Sequence, residues 1–286
     1  MPQSKAALAN ARAAALLSAA QDSRFPGFMG AGGVLDPLAR GFLDQAAADL
    51  APDDSDAVAP VDQAAVLHRF WAATAVRRAG SRDIRIVEGR GADGRELGFD
   101  VIEIVGPDMP FLVDSVMGEV TAQGMDVRAM IHPIVRAPRS LDGVRGAVGA
   151  PCVESLIQVQ VAPVPAARRD ALVGGLRAAL DDVAAAVSDF PAMQARMLAC
   201  AEALAEAKTP APAADVEEGV AFLRWLAADN FIFLGARSYD YAASSEAAIR
   251  ADKPVIEADK NLGILRDPLR SVLRRANEPM VLPPRL

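Results

Sequence analysis

Three glycines decide which architecture is open to this chain. Gly89, Gly91 and Gly94 form a literal G-x-G-x-x-G directly behind an apolar run, Ile84, Ile86 and Val87, that reads as a strand. Asp114 lies twenty positions past the last glycine, where the ribose-binding carboxylate of a dinucleotide fingerprint belongs. That fingerprint works only if the third glycine opens a helix whose N-terminal amides hold a pyrophosphate. Here it opens Glu-Leu-Gly-Phe-Asp-Val-Ile-Glu-Ile-Val, a β-branched stretch without a helical stripe. Asp93-Gly94 is then a hairpin turn, in which glycine supplies positive φ without steric cost. Asp114 falls inside a predicted helix and loses its ribose role.

Around this hairpin the chain divides into three parts: a helical segment over 1–80, an α+β domain over 81–208, and the start of a second α+β module over 215–286. The first part holds predicted helices over Ser4–Ala20, Asp36–Leu50 and Val61–Ala79, joined by the glycine-rich "FPGFMGAGGV" and the acidic "APDDSDAVAP". The glycine loop lacks the Gly-Lys-Ser/Thr ending of a phosphate loop and reads as a connector. His68 has no second histidine within helical reach and reads as a packed or surface side chain.

The middle part carries the strongest pattern. A strand ends at Val105, Gly106-Pro107 turns the chain, and Asp108 caps a helix whose first turn tolerates Pro110. Leu112, Val116 and Val120 form its stripe, and Gly124 stops it. A strand alternating at Val127, Ala129 and Ile131 follows, marked as an edge by Pro133. After an arginine- and glycine-rich loop come a strand through Val153, Ile157, Val159 and Val161 and a helix over Pro165–Val187, with another helix beyond it. Strand, helix, strand, strand, helix is most of a βαββαβ unit, an antiparallel sheet with both helices on one face. The missing strand is supplied by Asp83–Glu88 through the opening hairpin. In the last part, "KTPAPAADVEEG" reads as an extended spacer, Asp215 and Glu218 as a capping-box pair, "NFIFLGARSYDY" and Leu262–Leu265 as strands, and Arg237 as a solvated edge residue.

Composition narrows the chemistry. A net charge of −7 and a pI near 5.0 argue against a nucleic-acid surface. No run approaches the roughly 20 apolar residues that span a bilayer. The lysine- and arginine-flanked alanine stretch at the N-terminus reads as an amphipathic surface helix, not a signal peptide. Two cysteines, Cys152 and Cys200, make no disulfide framework or metal spacing, and they fit a reducing cytoplasm. Glu103, Asp114, Glu119 and His132 are the candidate bases. The spacing of five between Asp114 and Glu119 puts them on different helical faces, and His132 beside Pro133 is expected to be exposed. No catalytic residue and no metal site is assigned.

The βαββαβ pattern, with its first strand running into Asp108, Pro110 and Leu112, resembles an ACT domain, a small regulatory module that binds amino acids. More narrowly, "MPFLVDSVMGEV", "IHPIV", "FLRWLAADNFIFLGARSYDY" and "LGILRDP" are similar to the N-terminal region of the large bacterial NAD-specific glutamate dehydrogenases, with coverage from Asp100 to Pro268. The resemblance implies a regulatory segment of a longer enzyme, with NAD and the dehydrogenase chemistry carried outside it and no cofactor within it. It also implies a small amino-acid effector held by the first strand-to-helix loop, at Gly106, Pro107, Asp108, Met109, Pro110 and Phe111. The implied partners are the remainder of the same enzyme and further copies in an oligomer. The other reading is a free-standing amino-acid sensor built from ACT-type modules.

Overall fold

The computed structural model describes residues 5–50, 58–78, 80–146, 148–240 and 255–270. Most of the acidic loop after the second helix, Tyr241 and the basic tail beyond Arg270 lie outside the described residues. The chain forms two compact units, divided between Leu180 and Asp181.

The first unit opens with three helices: α1 (Lys5–Ala19), α2 (Pro37–Asp49) and α3 (Pro60–Ala73). Asp36 starts α2 by accepting from the Leu38 and Ala39 amides at 2.9 and 3.1 Å, with Pro37 at the position where a missing N–H costs nothing. A five-stranded antiparallel sheet follows, made of β1 (Asp83–Arg90), β2 (Glu96–Pro107), β3 (Val127–Ile131), β4 (Ile134–Arg139) and β5 (Ala150–Val161). The order is β1-β2-β5-β3, and β4 pairs with β5 beside β3. Helix α4 (Leu112–Ala122) links β2 to β3, and α5 (Ala166–Glu206) leaves β5.

The hairpin reading is borne out. β1 and β2 run antiparallel from Asp83↔Val105 to Arg90↔Glu96, with Gly94 at φ +84° in the turn. Gly89 has a different reason for lacking a side chain, since a Cβ there would lie 2.6 Å from the Phe99 ring. The turn is also docked, because buried Asp62 of α3 accepts from the Ala92 amide at 2.9 Å and from Arg95. β1 is therefore the strand that completes the ACT-like sheet.

Alternation along β2 and β5 gives the sheet two buried faces. Phe99, Val101, Val105 and Leu156 point to one, and they pack with the N-terminal helices through Val66, Phe42, Phe70 and Trp71. Ile102, Ile104, Ile157, Val159 and Val161 point to the other, where α4 and the first half of α5 bring Leu112, Val116, Val120, Leu172, Leu176 and Leu180 out of solvent. Asp100 anchors that side by accepting from the Val164 amide at 2.8 Å and Arg169 at 2.7 Å. The sequence left the first three helices without a partner; α2 and α3 cover the sheet's second face, and α1 packs on those two helices.

Several boundaries move for physical reasons. β4 occupies part of the segment read as an arginine-rich loop, because its alternate residues Val135 and Ala137 reach the core. The two helices expected after β5 are one, with Pro191 inside it. A proline there removes one backbone bond, and the packing of Phe190 and Met193 in the second unit offsets that loss.

The second unit begins with α5 from Asp181 and adds α6 (Ala213–Trp225), a π turn over Leu226–Asn230, and two small antiparallel pairs, β6 (Gly235–Ala236) with β9 (Leu262–Gly263) and β7 (Tyr239–Asp240) with β8 (Val255–Ile256). The expected strand over "NFIFLGARSYDY" is thus reduced to two short pieces. The capping-box reading is corrected as well: Pro212 precedes α6 without a side-chain cap, and Asp215 lies within its first turn. Asp189 holds this unit together by accepting from the Gly263 amide at 2.7 Å and from Arg266. Arg237 is no solvated edge residue. It donates to the carbonyls of Leu265 at 2.9 Å, Asp267 at 2.7 Å and Arg270.

His68 is half-buried between Phe25 and Phe28, and its Nε2 accepts from the Gly27 amide at 3.0 Å. Burial, helped by Arg69, lowers its pKa. The neutral ring is the form that accepts this bond, so the stabilisation is present above the ordinary histidine pKa and lost as pH falls through the lower folded value. Unfolding free energy is expected to drop across that acidic window, and His68→Gln to flatten the slope. An unchanged slope in a denaturant titration at several pH values would refute the assignment.

Candidate functional site

The expected effector loop joins β2 to α4. Gly106 is buried, Pro107, Asp108 and Met109 are half-buried, and Pro110 and Phe111 are exposed. The six do not share one turn: Gly106 and Pro107, expected to turn the chain, are the last residues of β2, paired with Ser155 and Glu154 of β5, and the turn itself runs from Asp108 to Phe111.

Asp108 does not cap the helix as its sequence position suggests. The residue at the N-cap is Phe111, in left-handed conformation at φ +69°, and no side chain caps the helix. Asp108 is drawn away by tertiary contacts. Its amide donates to the Val153 carbonyl at 3.0 Å, and its carboxylate accepts from the Ser155 hydroxyl at 2.6 Å. The first-turn amides of α4 are thus left without a side-chain acceptor, at the positive end of the helix dipole.

His132 joins this cluster, contrary to the expectation that it is exposed. It lies half-buried at the break between β3 and β4, with Nε2 2.9 Å from Ser155 Oγ. Burial lowers its pKa, against the pull of Asp108 and Asp49 in the other direction. Histidine, serine and aspartate meet here in an order unsuited to nucleophilic catalysis. The serine hydroxyl donates its hydrogen bond to the aspartate and can only accept from the histidine, whereas a nucleophilic triad needs the hydroxyl to donate to the histidine. The other candidate bases do not converge on the cluster. Glu103 lies buried against Arg85 at 2.5 Å, its pKa raised by burial, and Asp114 faces solvent. Among the described residues no group of three or more histidine, cysteine, aspartate or glutamate side chains has the arrangement of a metal site.

Phe111 is the unusual member. A non-glycine residue in the left-handed region costs about 1–3 kcal/mol, and such strain tends to sit at functional places. Its ring is 45% exposed, so little packing is lost by removing it. Phe111→Gly is expected to raise unfolding free energy by about 1 kcal/mol through relief of the left-handed penalty. A denaturant midpoint at or below that of the native chain would contradict the strain argument.

Sequence reasoning missed a second cluster on the helix-covered face. Glu154 accepts from Arg139 Nε and Nη2, both at 2.7 Å, and from Arg77 Nε at 3.1 Å. The three side chains are 0 to 2% exposed. Arg145 stacks over Trp71 with its guanidinium 3.3 Å from the ring centroid and donates to Thr74 Oγ1 at 2.7 Å; burial lowers its pKa to about 10. The cluster joins α3 and the residues after it to β4 and β5.

An antiparallel sheet with two helices on one face and an uncapped strand-to-helix loop defines an ACT-like α+β module. Residues 42–176 match the family model described as glutamate dehydrogenase, ACT1 domain. The chain is 35% identical over 175 residues to the NAD-specific glutamate dehydrogenase of Halomonas elongata, and 28% identical over 179 residues to that of Pseudomonas aeruginosa. Each match covers 58% of this chain and 10% of the relative. The aligned region thus spans about a tenth of the length of the curated relatives. The chain resembles the N-terminal region of the large NAD-specific glutamate dehydrogenases, as its motifs implied.

Proposed function

We propose that this chain is the regulatory and assembly segment of a large NAD-dependent glutamate dehydrogenase. The parent reaction is oxidation of L-glutamate with NAD and water to 2-oxoglutarate, ammonium and NADH, with NAD bound outside this segment. The observation that carries the reading is the ACT1 match over 42–176, together with similarity to about a tenth of the length of NAD-specific glutamate dehydrogenases. The partners are the remainder of the same enzyme and further copies of it, in the cytoplasm. Among the described residues no helix is long and apolar enough to cross a membrane.

Within this reading the Gly106–Phe111 loop takes a small amino acid. The uncapped α4 amides suit its carboxylate, and the Asp108 carboxylate suits its ammonium. Thermal unfolding with a panel of the twenty amino acids at millimolar concentration tests this. A ligand at one hundred times its Kd raises stability by about 2.7 kcal/mol. No shift with any of them removes the effector and leaves assembly as the role. Glutamate-dependent reduction of NAD by this chain alone would overturn the regulatory reading. A stop codon directly after Leu286 would favour the free-standing sensor.

A further inference from the structure

Two exposed side chains of α2 reach the edge of the five-stranded sheet at its one break. Gln45 Oε1 accepts from the Ile134 amide at 2.9 Å and its Nε2 donates to the Ile134 carbonyl at 3.0 Å, which reproduces the pairing a neighbouring strand would make. One helical turn later, Asp49 accepts from the His132 amide at 2.7 Å. From the same residue the contacts continue inward, since His132 Nε2 meets Ser155 Oγ, and that hydroxyl donates to Asp108 at the start of the β2–α4 loop.

A hydroxyl has one proton, and Ser155 gives its own to Asp108, so it can only accept from His132; the contact selects the tautomer with Nε2 as donor, and Ser155 is held from both sides. Ser155 is 2% exposed, which keeps water from substituting for either partner. At the far end stands Phe111, whose left-handed conformation persists only while its surroundings enforce it.

We propose that these contacts form one conformational relay, in which the seating of α2 on the β3–β4 break sets how firmly the β2–α4 loop is held. The relay stands on its own geometry; its regulatory purpose rests on the effector reading above. Coupling of this kind is reciprocal, so a ligand that orders the loop tightens α2, and a partner that lifts α2 loosens the loop. Lifting α2 also frees the backbone groups of His132 and Ile134 to pair with another strand.

Amide hydrogen exchange on the full chain tests the relay. Asp49 and Gln45 are exposed, so Asp49→Ala and Gln45→Ala leave the core intact. Exchange over Asp108–Ser115 is expected to quicken about fivefold in each, the factor expected for one lost hydrogen bond. Ser155→Ala is expected to do the same and Ser155→Thr to restore protection. Arg40→Ala, which removes only an ion pair with Asp44 within α2, is the control and leaves the loop unchanged. If the two α2 variants quicken exchange at His132 and Ile134 alone, the relay is overturned, whatever Ser155→Ala does. Thermal shifts with the amino-acid panel on the native chain form a separate arm. Their absence removes the effector reading, while the exchange data still decide the relay.

Discussion

Glu154→Ala is expected to lower the stability of the first unit by about 3–5 kcal/mol, because it leaves Arg77 and Arg139 buried without a counter-charge. Burial by itself would raise the Glu154 pKa, but hydrogen bonds from Arg139 and Arg77 outweigh it and hold the carboxyl below the usual glutamate value. The group's stabilisation is therefore complete above the ordinary pKa and is lost as pH falls through the lower folded one. Glu154→Ala should lack that part of the acid sensitivity. Replacing the whole cluster by apolar residues of similar size, Arg77→Met with Glu154→Leu and Arg139→Met, should recover much of the loss. Recovery will be incomplete, since Arg139 also donates to the carbonyls of Thr74 at 2.9 Å and Gly143 at 2.6 Å. Denaturant unfolding measures both. A loss of only about 1 kcal/mol for Glu154→Ala, the size of an average substitution, would mean that water reaches the guanidiniums.

Gly143→Ala is expected to cost about 2–4 kcal/mol, from a left-handed backbone and a clash acting together. Gly143 has φ +83°, and a Cβ there would lie 2.2 Å from the Arg77 carbonyl oxygen, a backbone atom that cannot swing aside. The Gly143 carbonyl in turn accepts from the Arg77 amide at 3.0 Å and from Arg139. The substitution thus shifts the backbone carrying both arginines of the Glu154 cluster. Combined with Glu154→Ala, the two losses should sum to less than their separate values, because they act on one network. Strict additivity in a double-mutant cycle would refute the link.

The contrast between hairpin and cluster shows what was legible. Asp93-Gly94 announces itself because turn chemistry is local, and the strand after it is visible from residues a few positions apart. Arg77 stands in a stretch read as helix, Arg139 in one read as a loop and Glu154 in one read as a strand, and 77 residues separate the first from the last. Nothing in their spacing distinguishes a buried arginine from an exposed one. Asp108 makes the same point at the candidate site. Its position before a helix predicts a cap, yet a serine 47 residues away competes for the same carboxylate and wins.

By its turns, its strand and helix periods and its motifs, the amino-acid sequence alone determined an ACT-like α+β unit, the hairpin in place of a nucleotide cradle, and the resemblance to the N-terminal region of NAD-specific glutamate dehydrogenases. The tertiary structure alone decided that a layer of N-terminal helices covers the sheet's second face, that three arginines and a glutamate hold that layer in place, and that Ser155, itself held by His132, takes Asp108 from its helix. The reason is range. Turn and periodicity signals arise within about ten residues of chain, whereas burial and the partner of a polar side chain depend on which distant segments the fold brings within hydrogen-bond reach.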